Sequence, residues 1–159
     1  MYALIIMLYL ATDHRGLKLK NQLKIWLQQK KISFKDLGAY EYNVDDDYPD
    51  FVKLVIKKVL ENPKKNRGVV FCGSGAGVCI VANKVNGIRC AVGFNHRQVS
   101  DFTKHDHVNV LAIAADYISK FKCFQLVKRF LETEFSSEKR HMRRLKKIKQ
   151  IEGKEFSTT

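Results

Sequence analysis

The sequence contains little proline, tryptophan and cysteine, and it has no long hydrophobic run. Two prolines and one tryptophan occur in 159 residues, and no stretch approaches the ~18 apolar residues of a membrane-spanning helix. The four cysteines never show the CxxC spacing of zinc or redox motifs, and they lie among apolar neighbours. We therefore expect reduced thiols in a cytoplasmic protein, with neither a disulfide framework nor a zinc site, at Cys72, Cys79, Cys90 and Cys123.

Acidic residues are also scarce relative to basic ones. The chain has 29 lysines and arginines against 16 aspartates and glutamates, which gives a formal net charge of +13. Such a balance can indicate binding to nucleic acid or to a membrane surface, but the basic residues are spread along the chain and only segment 139–150 is dense. No aromatic residues interleave with that segment, as single-strand binding would require. The charge therefore predicts a solvated, lysine-rich surface rather than a nucleic-acid or membrane partner.

Apolar strand-like runs alternate with amphipathic helical patterns. The first run, within MYALIIMLYL, lacks the positive flank and cleavage site of a signal peptide and is typical of a buried strand. Strands are predicted at 4–11, 32–38, 68–72, 87–94 and 108–115. Helices are predicted at 16–31, from Pro49 to Leu60, up to about Lys84, and at about 96–106, 117–134 and 137–151. This alternation predicts one α/β domain over residues 1–159, with a parallel sheet and a basic C-terminal helix.

The segment from Val69 to Lys84 reads VVFCGSGAGVCIVANK and joins a strand to a helix through three alternate glycines. In an open parallel sheet, ligands bind at the carboxyl ends of the strands, which is where Cys72 lies. The backbone amides of Gly73–Gly77 open a helix and can hold an anion or a developing oxyanion. The same position activates a thiol, so Cys72 is a candidate base or nucleophile with the Ser74 hydroxyl beside it. The spacing is neither that of a nucleotide P-loop nor GxGxxG, and a plain tight turn is the alternative.

Two polar residues follow the first predicted strand. Asp13 and His14 come directly after it, at the edge of the sheet where Cys72 also lies. We expect the two segments to face one crevice, because the carboxyl ends of parallel strands meet at the same edge. The alternative is that Asp13 only caps the helix that follows.

Histidines and arginines occur near the last predicted strand and helix. His105 and His107 precede strand 108–115, where they can be ordinary surface residues or a weak metal pair. Arg140, Arg143 and Arg144 fall within about one helical turn, and arginine forks suit phosphate. A solvated basic face is the alternative for these arginines.

Taken together, five segments resemble the RpiB/LacA/LacB family of sugar-phosphate isomerases. They are TDHRG, DYPDF, FCGSGAGVCIVANKVNGIR, KHDHVNVLA and RHMRR, in the family's order over residues 4–152. The resemblance implies a Rossmann-like three-layer α/β sandwich, a homodimer with active sites at its interface, and no metal or organic cofactor. It also implies an aldose–ketose isomerase of the pentose phosphate pathway, which interconverts the phosphorylated sugars ribose 5-phosphate and ribulose 5-phosphate.

The resemblance further implies a role for each matching residue. Cys72 would be the general base that moves a proton between C2 and C1 through a cis-enediolate, and His105 would open the sugar ring. Asp13 would handle hydroxyl protons. The loop amides and the Ser74 hydroxyl would stabilise the negative oxygen of the enediolate. Substrate-binding positions would be Gly73, Gly75, Ala76, Gly77, His14, Asp106, Arg140 and Arg144, the two arginines reaching in from the partner subunit.

Two residues depart from the family pattern. Asp106 stands where the family usually has asparagine, and Asp116 where it usually has an arginine that helps to hold phosphate. A negative charge beside a phosphate dianion is unfavourable, which leaves open a weaker phosphate site, another sugar or an inactive relative. The competing functions are therefore a hexose-phosphate isomerase for galactose 6-phosphate or allose 6-phosphate, and a non-catalytic protein that binds a sugar phosphate or nucleic acid.

Overall fold

A computed structural model describes residues 7–153, which form a parallel sheet covered by helices on both faces. The strands are β1 (Met7–Thr12), β2 (Phe34–Asp36), β3 (Asn66–Cys72), β4 (Cys90–Val92) and β5 (Val110–Ala114). The helices are α1 (Leu17–Gln29), α2 (Tyr48–Glu61), α3 (Ala76–Ala82), α4 (His96–Asp106), α5 (Lys120–Glu132) and α6 (Lys139–Glu152). The strands pair in parallel in the order β2-β1-β3-β5-β4. Within this described range no helix is both long and apolar enough to cross a membrane.

Side chains of the central strand β3 alternate between the two faces of the sheet. Val69 and Phe71 pack into the layer formed with α1, α4 and α5, whereas Val70 and Cys72 pack into the layer formed with α2 and α3. The strand is apolar on both sides because helices cover both faces, as is typical of a buried parallel strand. Cys72 therefore lies at the carboxyl end of the sheet's middle strand, on the α2–α3 side.

Polar residues and one proline fix where several helices begin. Asn95 Oδ1 accepts a hydrogen bond from the Gln98 amide at 2.9 Å at the start of α4. Ser119 Oγ accepts one from the Lys122 amide at 3.3 Å at the start of α5. Pro49 occupies the first turn of α2, where its missing N–H group is not needed.

The predicted order of strands and helices is confirmed, and so is the three-layer α/β fold. β2 and β4 are shorter than the predicted segments 32–38 and 87–94; both lie at the edges of the sheet, where short strands are common. Residues 4–6 of the predicted first strand, and most of the segment weighed as a signal peptide, lie outside the described residues. All four cysteines are free thiols.

A buried lysine ties α1 to β2 and to the loop that follows β2. The side chain of Lys20 has no exposed surface, which is rare for lysine. Its Nζ donates hydrogen bonds to Asp36 Oδ1 at 2.5 Å, Gly38 O at 2.9 Å and Ala39 O at 2.7 Å. These contacts use all the donors of the ammonium group, so its charge is compensated without water.

Replacing Lys20 with methionine should destabilise the fold, because it removes one of the two lysines that hold Asp36 and leaves two carbonyl groups without the Lys20 donor. Breaking a buried ion pair from one side costs about 3–5 kcal/mol. Lys24 still holds Asp36 at 2.6 Å, so we expect a loss of about 2–4 kcal/mol in the free energy of unfolding, measured with urea. Lys18→Met, at an exposed position of the same helix, is the matched control. Equal free energies of unfolding for the two variants would contradict the stabilising role of Lys20 between α1 and β2.

Candidate active site

The carboxyl ends of β1, β3 and β5 meet at one edge of the sheet. Thr12 of β1 lies beside Phe71 of β3, and Cys72 lies beside Ala114 of β5. The loops that follow these strands border an open cavity of about 450 Å³. Side chains lining this cavity include those of Asp13, Arg15, Tyr48, Cys72, Ser74 and Asp116. The predicted convergence of the Asp13 and Cys72 segments on one crevice is therefore what the structure has.

Cys72 lies at the wall of this cavity with its sulfur held by the backbone. The residue is 5% exposed, and its Sγ accepts a hydrogen bond from the Gly75 amide at 3.2 Å. Ser74 Oγ accepts one from the Ala76 amide at 3.3 Å. The loop therefore places a backbone N–H group against the sulfur at the cavity wall.

The three alternate glycines each make room for a different neighbour. A Cβ atom on Gly75, whose φ is 75°, would lie 3.2 Å from the Ala114 backbone nitrogen. One on Gly77 would lie 2.6 Å from Cζ of Tyr48. One on Gly73 would lie 2.6 Å from Nε of Arg15. A simple turn would need only Gly75. Gly73 and Gly77 in addition let the side chains of Arg15 and Tyr48 pack against the backbone of the loop.

Asp13 both shapes the loop before α1 and lines the cavity. Its Oδ1 accepts hydrogen bonds from the amides of Arg15 at 3.0 Å and Gly16 at 3.3 Å. The residue is 4% exposed. Burial raises the pKa of the Asp13 carboxyl above its ordinary value, although the two amides oppose the effect. The carboxyl therefore holds the backbone ahead of α1, as the capping alternative expects, and it also faces the cavity.

His14 is oriented by a carboxylate that the sequence did not single out. Its ring Nδ1 lies 2.6 Å from Asp46 Oδ1, and its backbone amide donates to the same oxygen at 3.0 Å. The ring of Tyr42 packs edge-on against it, with 5.6 Å between centroids. With Nδ1 directed to Asp46, Nε2 is the ring atom left for a ligand. In the sequence, Asp46 belongs to an acidic run that signalled only the start of α2.

Seven of the predicted site residues do not line this cavity. Three of them, His14, Gly75 and Ala76, lie in or next to the loops that border it, whereas the other four lie elsewhere in the fold. His105 and Asp106 end α4, ahead of β5, and Arg140 and Arg144 are exposed on α6. A residue that precedes a parallel strand lies at its amino end, whereas Cys72 lies at the carboxyl end. The five residues of β5 separate the two edges by about 13 Å. One chain therefore carries two separate groups of predicted site residues.

The second group is organised around a histidine pair. The rings of His105 and His141 lie 4.5 Å apart between centroids, and His141 is 2% exposed. Burial lowers the pKa of His141; the charge of Glu138 opposes this effect, and the nearby charges of His105, Arg140 and Arg144 add to it. His141 therefore supports the ring of His105 from α6, a role that sequence reasoning missed although the residue lies within the quoted RHMRR segment.

His107 is a structural residue rather than a ligand. Its ring stacks on Phe135, with 4.4 Å between centroids, and its carbonyl accepts a hydrogen bond from Arg89 Nε at 2.8 Å. Burial, with the nearby charges of Arg89 and Arg67, lowers the pKa of His107 to about 4. Residues 7–153 contain no group of three or more histidine, cysteine or acidic side chains placed to hold a metal ion.

Comparisons with known proteins point to one family. Residues 8–148 match the family model described as Ribose/Galactose Isomerase. The probable ribose-5-phosphate isomerase B of Mycoplasma genitalium is 37% identical over 141 residues, which cover 89% of this chain and 92% of that protein.

Solved structures agree with this match. The crystal structure of ribose-5-phosphate isomerase B from Mycoplasma genitalium, with bound ribulose-5-phosphate, superposes with a TM-score of 0.89 at 35% identity, covering 95% of this chain and 99% of the other. The ribose 5-phosphate isomerase of Thermotoga maritima gives a TM-score of 0.86 at 33% identity, covering 91% of this chain and 97% of the other.

Asp13→Asn should stabilise the fold at neutral pH. Because burial raises the pKa of Asp13, the folded state binds its proton more tightly than the unfolded state does. Ionisation therefore lowers stability as pH rises above the ordinary value of 3.8. An asparagine Oδ1 still accepts from both amides, without the charge.

The measurement for this variant is urea unfolding at about pH 3 and about pH 7. The stability advantage of Asp13→Asn over wild type should be larger at the higher pH. Asp101→Asn, at an exposed position on α4, should show no such trend. A variant that loses stability at neutral pH would mean that the amide hydrogen bonds to the charged carboxylate outweigh its burial.

Proposed function

We propose that this chain, which belongs to the ribose/galactose isomerase family, is an aldose–ketose isomerase that interconverts ribose 5-phosphate and ribulose 5-phosphate. The observation that carries the proposal is the buried Cys72 thiol at the cavity wall, held by the Gly75 amide at 3.2 Å. A relative of 35% identity with nearly the same fold holds ribulose-5-phosphate. Proton NMR of purified protein with ribose 5-phosphate tests the proposal directly, since appearance of the ketose signals is the activity.

Cys72 serves as the general base of this reaction. Its thiolate takes the proton from C2 of the open-chain aldose, a cis-enediolate forms, and the proton returns to C1. The oxygen that becomes negative meets the amides of the Gly73–Gly77 loop and the Ser74 hydroxyl, which stabilise it. Asp13 transfers the hydroxyl protons. Burial suits it to this role, because it raises the pKa of the carboxyl toward the pH at which the reaction takes place.

The remaining site residues come from a second copy of the chain in a homodimer. His105, Asp106, Arg140 and Arg144 lie at the edge of the sheet opposite Cys72, so within one subunit they do not reach the bound sugar. A dimer that brings the amino edge of one subunit to the carboxyl edge of the other completes the site. His105 then opens the sugar ring, and the arginines join His14 at the phosphate.

A hexose phosphate is the second candidate substrate, because Asp106 and Asp116 depart from the usual family pattern. The same NMR experiment with galactose 6-phosphate and allose 6-phosphate decides between the sugars. A higher kcat/KM for either hexose than for ribose 5-phosphate would reverse our assignment. Tight, salt-sensitive binding of nucleic acid together with no isomerisation would instead support a non-catalytic function for the basic helix α6.

Cys72→Ala should lower kcat by at least about 100-fold, because removing a general base costs that much or more. The fold and the affinity for substrate should change little, since the side chain is small. Cys123→Ala is the matched control, because that thiol is fully buried in the core against other helices; it should lose some stability and keep its turnover number. Near-wild-type isomerisation by Cys72→Ala would leave this cysteine as a packing residue.

Hybrid dimers test the shared site. Cys72→Ala and Arg144→Ala proteins are each expected to be poorly active, yet a hybrid of the two contains one site with both groups intact. Random mixing makes half of the dimers hybrids, so roughly a quarter of the wild-type activity should return. If mass spectrometry shows hybrids and no activity returns, the two groups do not act across a dimer interface.

A further inference from the structure

The mouth of the Cys72 cavity carries an ion pair between two loops that are far apart in sequence. Arg15 follows β1, and Asp116 follows β5. Arg15 Nε donates to Asp116 Oδ2 at 2.9 Å, and Nη2 of the same guanidinium donates to the same oxygen. Both residues line the cavity. Asp116 is the residue whose charge, judged from sequence, should weaken a phosphate site.

This ion pair lies directly over the backbone next to Cys72. A Cβ atom on Gly73 would lie 2.6 Å from Arg15 Nε and 2.6 Å from Asp116 Oδ2. The Asp116 amide also donates to Gly73 O at 3.1 Å. The glycine at position 73 is thus what allows the pair to rest on the loop that holds the thiol.

The pair is placed at the rim rather than at the reacting end of the cavity. The side chains of Arg15 and Asp116 are 57% and 36% exposed, whereas Cys72 is 5% exposed. A sugar whose C1 and C2 lie at the thiol extends its other end outward. The group at that outer end is the phosphate, which is also the part of the substrate that stays charged throughout the reaction.

Arg15 retains hydrogen-bonding capacity after its contact with Asp116. A guanidinium has N–H groups on Nε, Nη1 and Nη2, and among the described residues Nη1 donates to no acceptor. The hydrogen bond and charge of Asp116 raise the pKa of Arg15, so the group stays cationic. The carboxylate therefore orients the guanidinium, and the guanidinium cancels the repulsion that the carboxylate would exert on an anion.

We propose that Arg15 binds the phosphate of the substrate and that Asp116 positions it over Gly73. This inference rests on the proposed isomerase function and adds a phosphate ligand from the same subunit as Cys72, beside the arginines of the other subunit. Asp116 is then part of the phosphate site through Arg15. It is not a defect of that site, because its charge is compensated within the chain.

The test compares Arg15→Ala, Asp116→Ala and the double variant. Their KM for ribose 5-phosphate and the inhibition constant of inorganic phosphate are measured, since phosphate alone probes the anion site. Arg15→Ala should raise both at least about tenfold, a change of about 1.4 kcal/mol in binding, because it removes a ligand and leaves Asp116 unpaired. The fall in kcat should be smaller.

The double variant separates positioning from simple charge loss. It lacks the cation but also lacks the repelling carboxylate, so its KM should lie below that of Arg15→Ala. Arg15→Lys should recover part of the phosphate affinity, because it keeps the charge without the fork. Arg129→Ala, which removes one exposed positive charge on α5, should leave both constants unchanged. Thermal unfolding of each variant verifies that the fold is intact.

Several results would overturn the inference while leaving the proposed function standing. One is an active wild type in which Arg15→Ala matches Arg129→Ala. Another is a loss of kcat at unchanged KM and phosphate inhibition, which would place Arg15 at the reacting atoms. A third is a double variant whose KM is no lower than that of Arg15→Ala, which would mean that Asp116 has no role in the phosphate site.

A wild-type protein that fails to isomerise ribose 5-phosphate would instead overturn the proposed function. In that case, direct titration with inorganic phosphate still decides the role of Arg15. Weaker phosphate binding by Arg15→Ala than by Arg129→Ala would support an anion site at the cavity mouth. Equal binding would overturn it.

Discussion

Gly75, in the turn from β3 into α3, adopts a left-handed backbone conformation close against β5, and the geometry of the site depends on this constraint. Gly75 has a φ of 75°, a conformation that costs a non-glycine residue about 1–3 kcal/mol. In that conformation its amide points at the Cys72 sulfur while its Cα faces the backbone of β5. A side chain here would push the turn away from β5 and would move the amide from the thiol. The chemistry of the sulfur and the packing of the sheet are therefore fixed by one residue.

Much of the fold could be predicted from the sequence, because hydrophobic periodicity is a local signal and the alternation of strands and helices implies a parallel sheet. The apolar run through β3 predicts a buried strand, and the 3.6-residue pattern through α4 predicts a helix. Parallel strands then bring Asp13 and Cys72 to one edge of the sheet. Asp46 and the Arg15–Asp116 pair could not be found this way. They join positions 32 and 101 residues apart through loop conformations, and loops carry no periodic signal.

The division of the predicted site into two groups follows from chain direction. Residues after a parallel strand lie at its carboxyl edge, and residues before it lie at its amino edge. Cys72 follows this rule on one side and His105 on the other, so no conformation of a single sheet unites them. The family resemblance already implied that Arg140 and Arg144 reach in from the partner subunit, and the position of His105 before β5 separates it from Cys72 in the same way.

Two carboxylates line the cavity proposed to bind a dianion and a third, Asp46, orients the neighbouring His14, and each of the three has a different partner. Backbone amides hold Asp13, the His14 ring holds Asp46, and the Arg15 guanidinium holds Asp116. Two of the three thereby orient a side chain that can carry positive charge, and the third holds the loop that bears both of those side chains. The acidic groups thus orient the side chains that can donate hydrogen bonds to an anion, which is why a count of charges around the cavity would misjudge its affinity for phosphate. The affinity depends on which N–H groups are still free to bind phosphate after each carboxylate has accepted its hydrogen bonds.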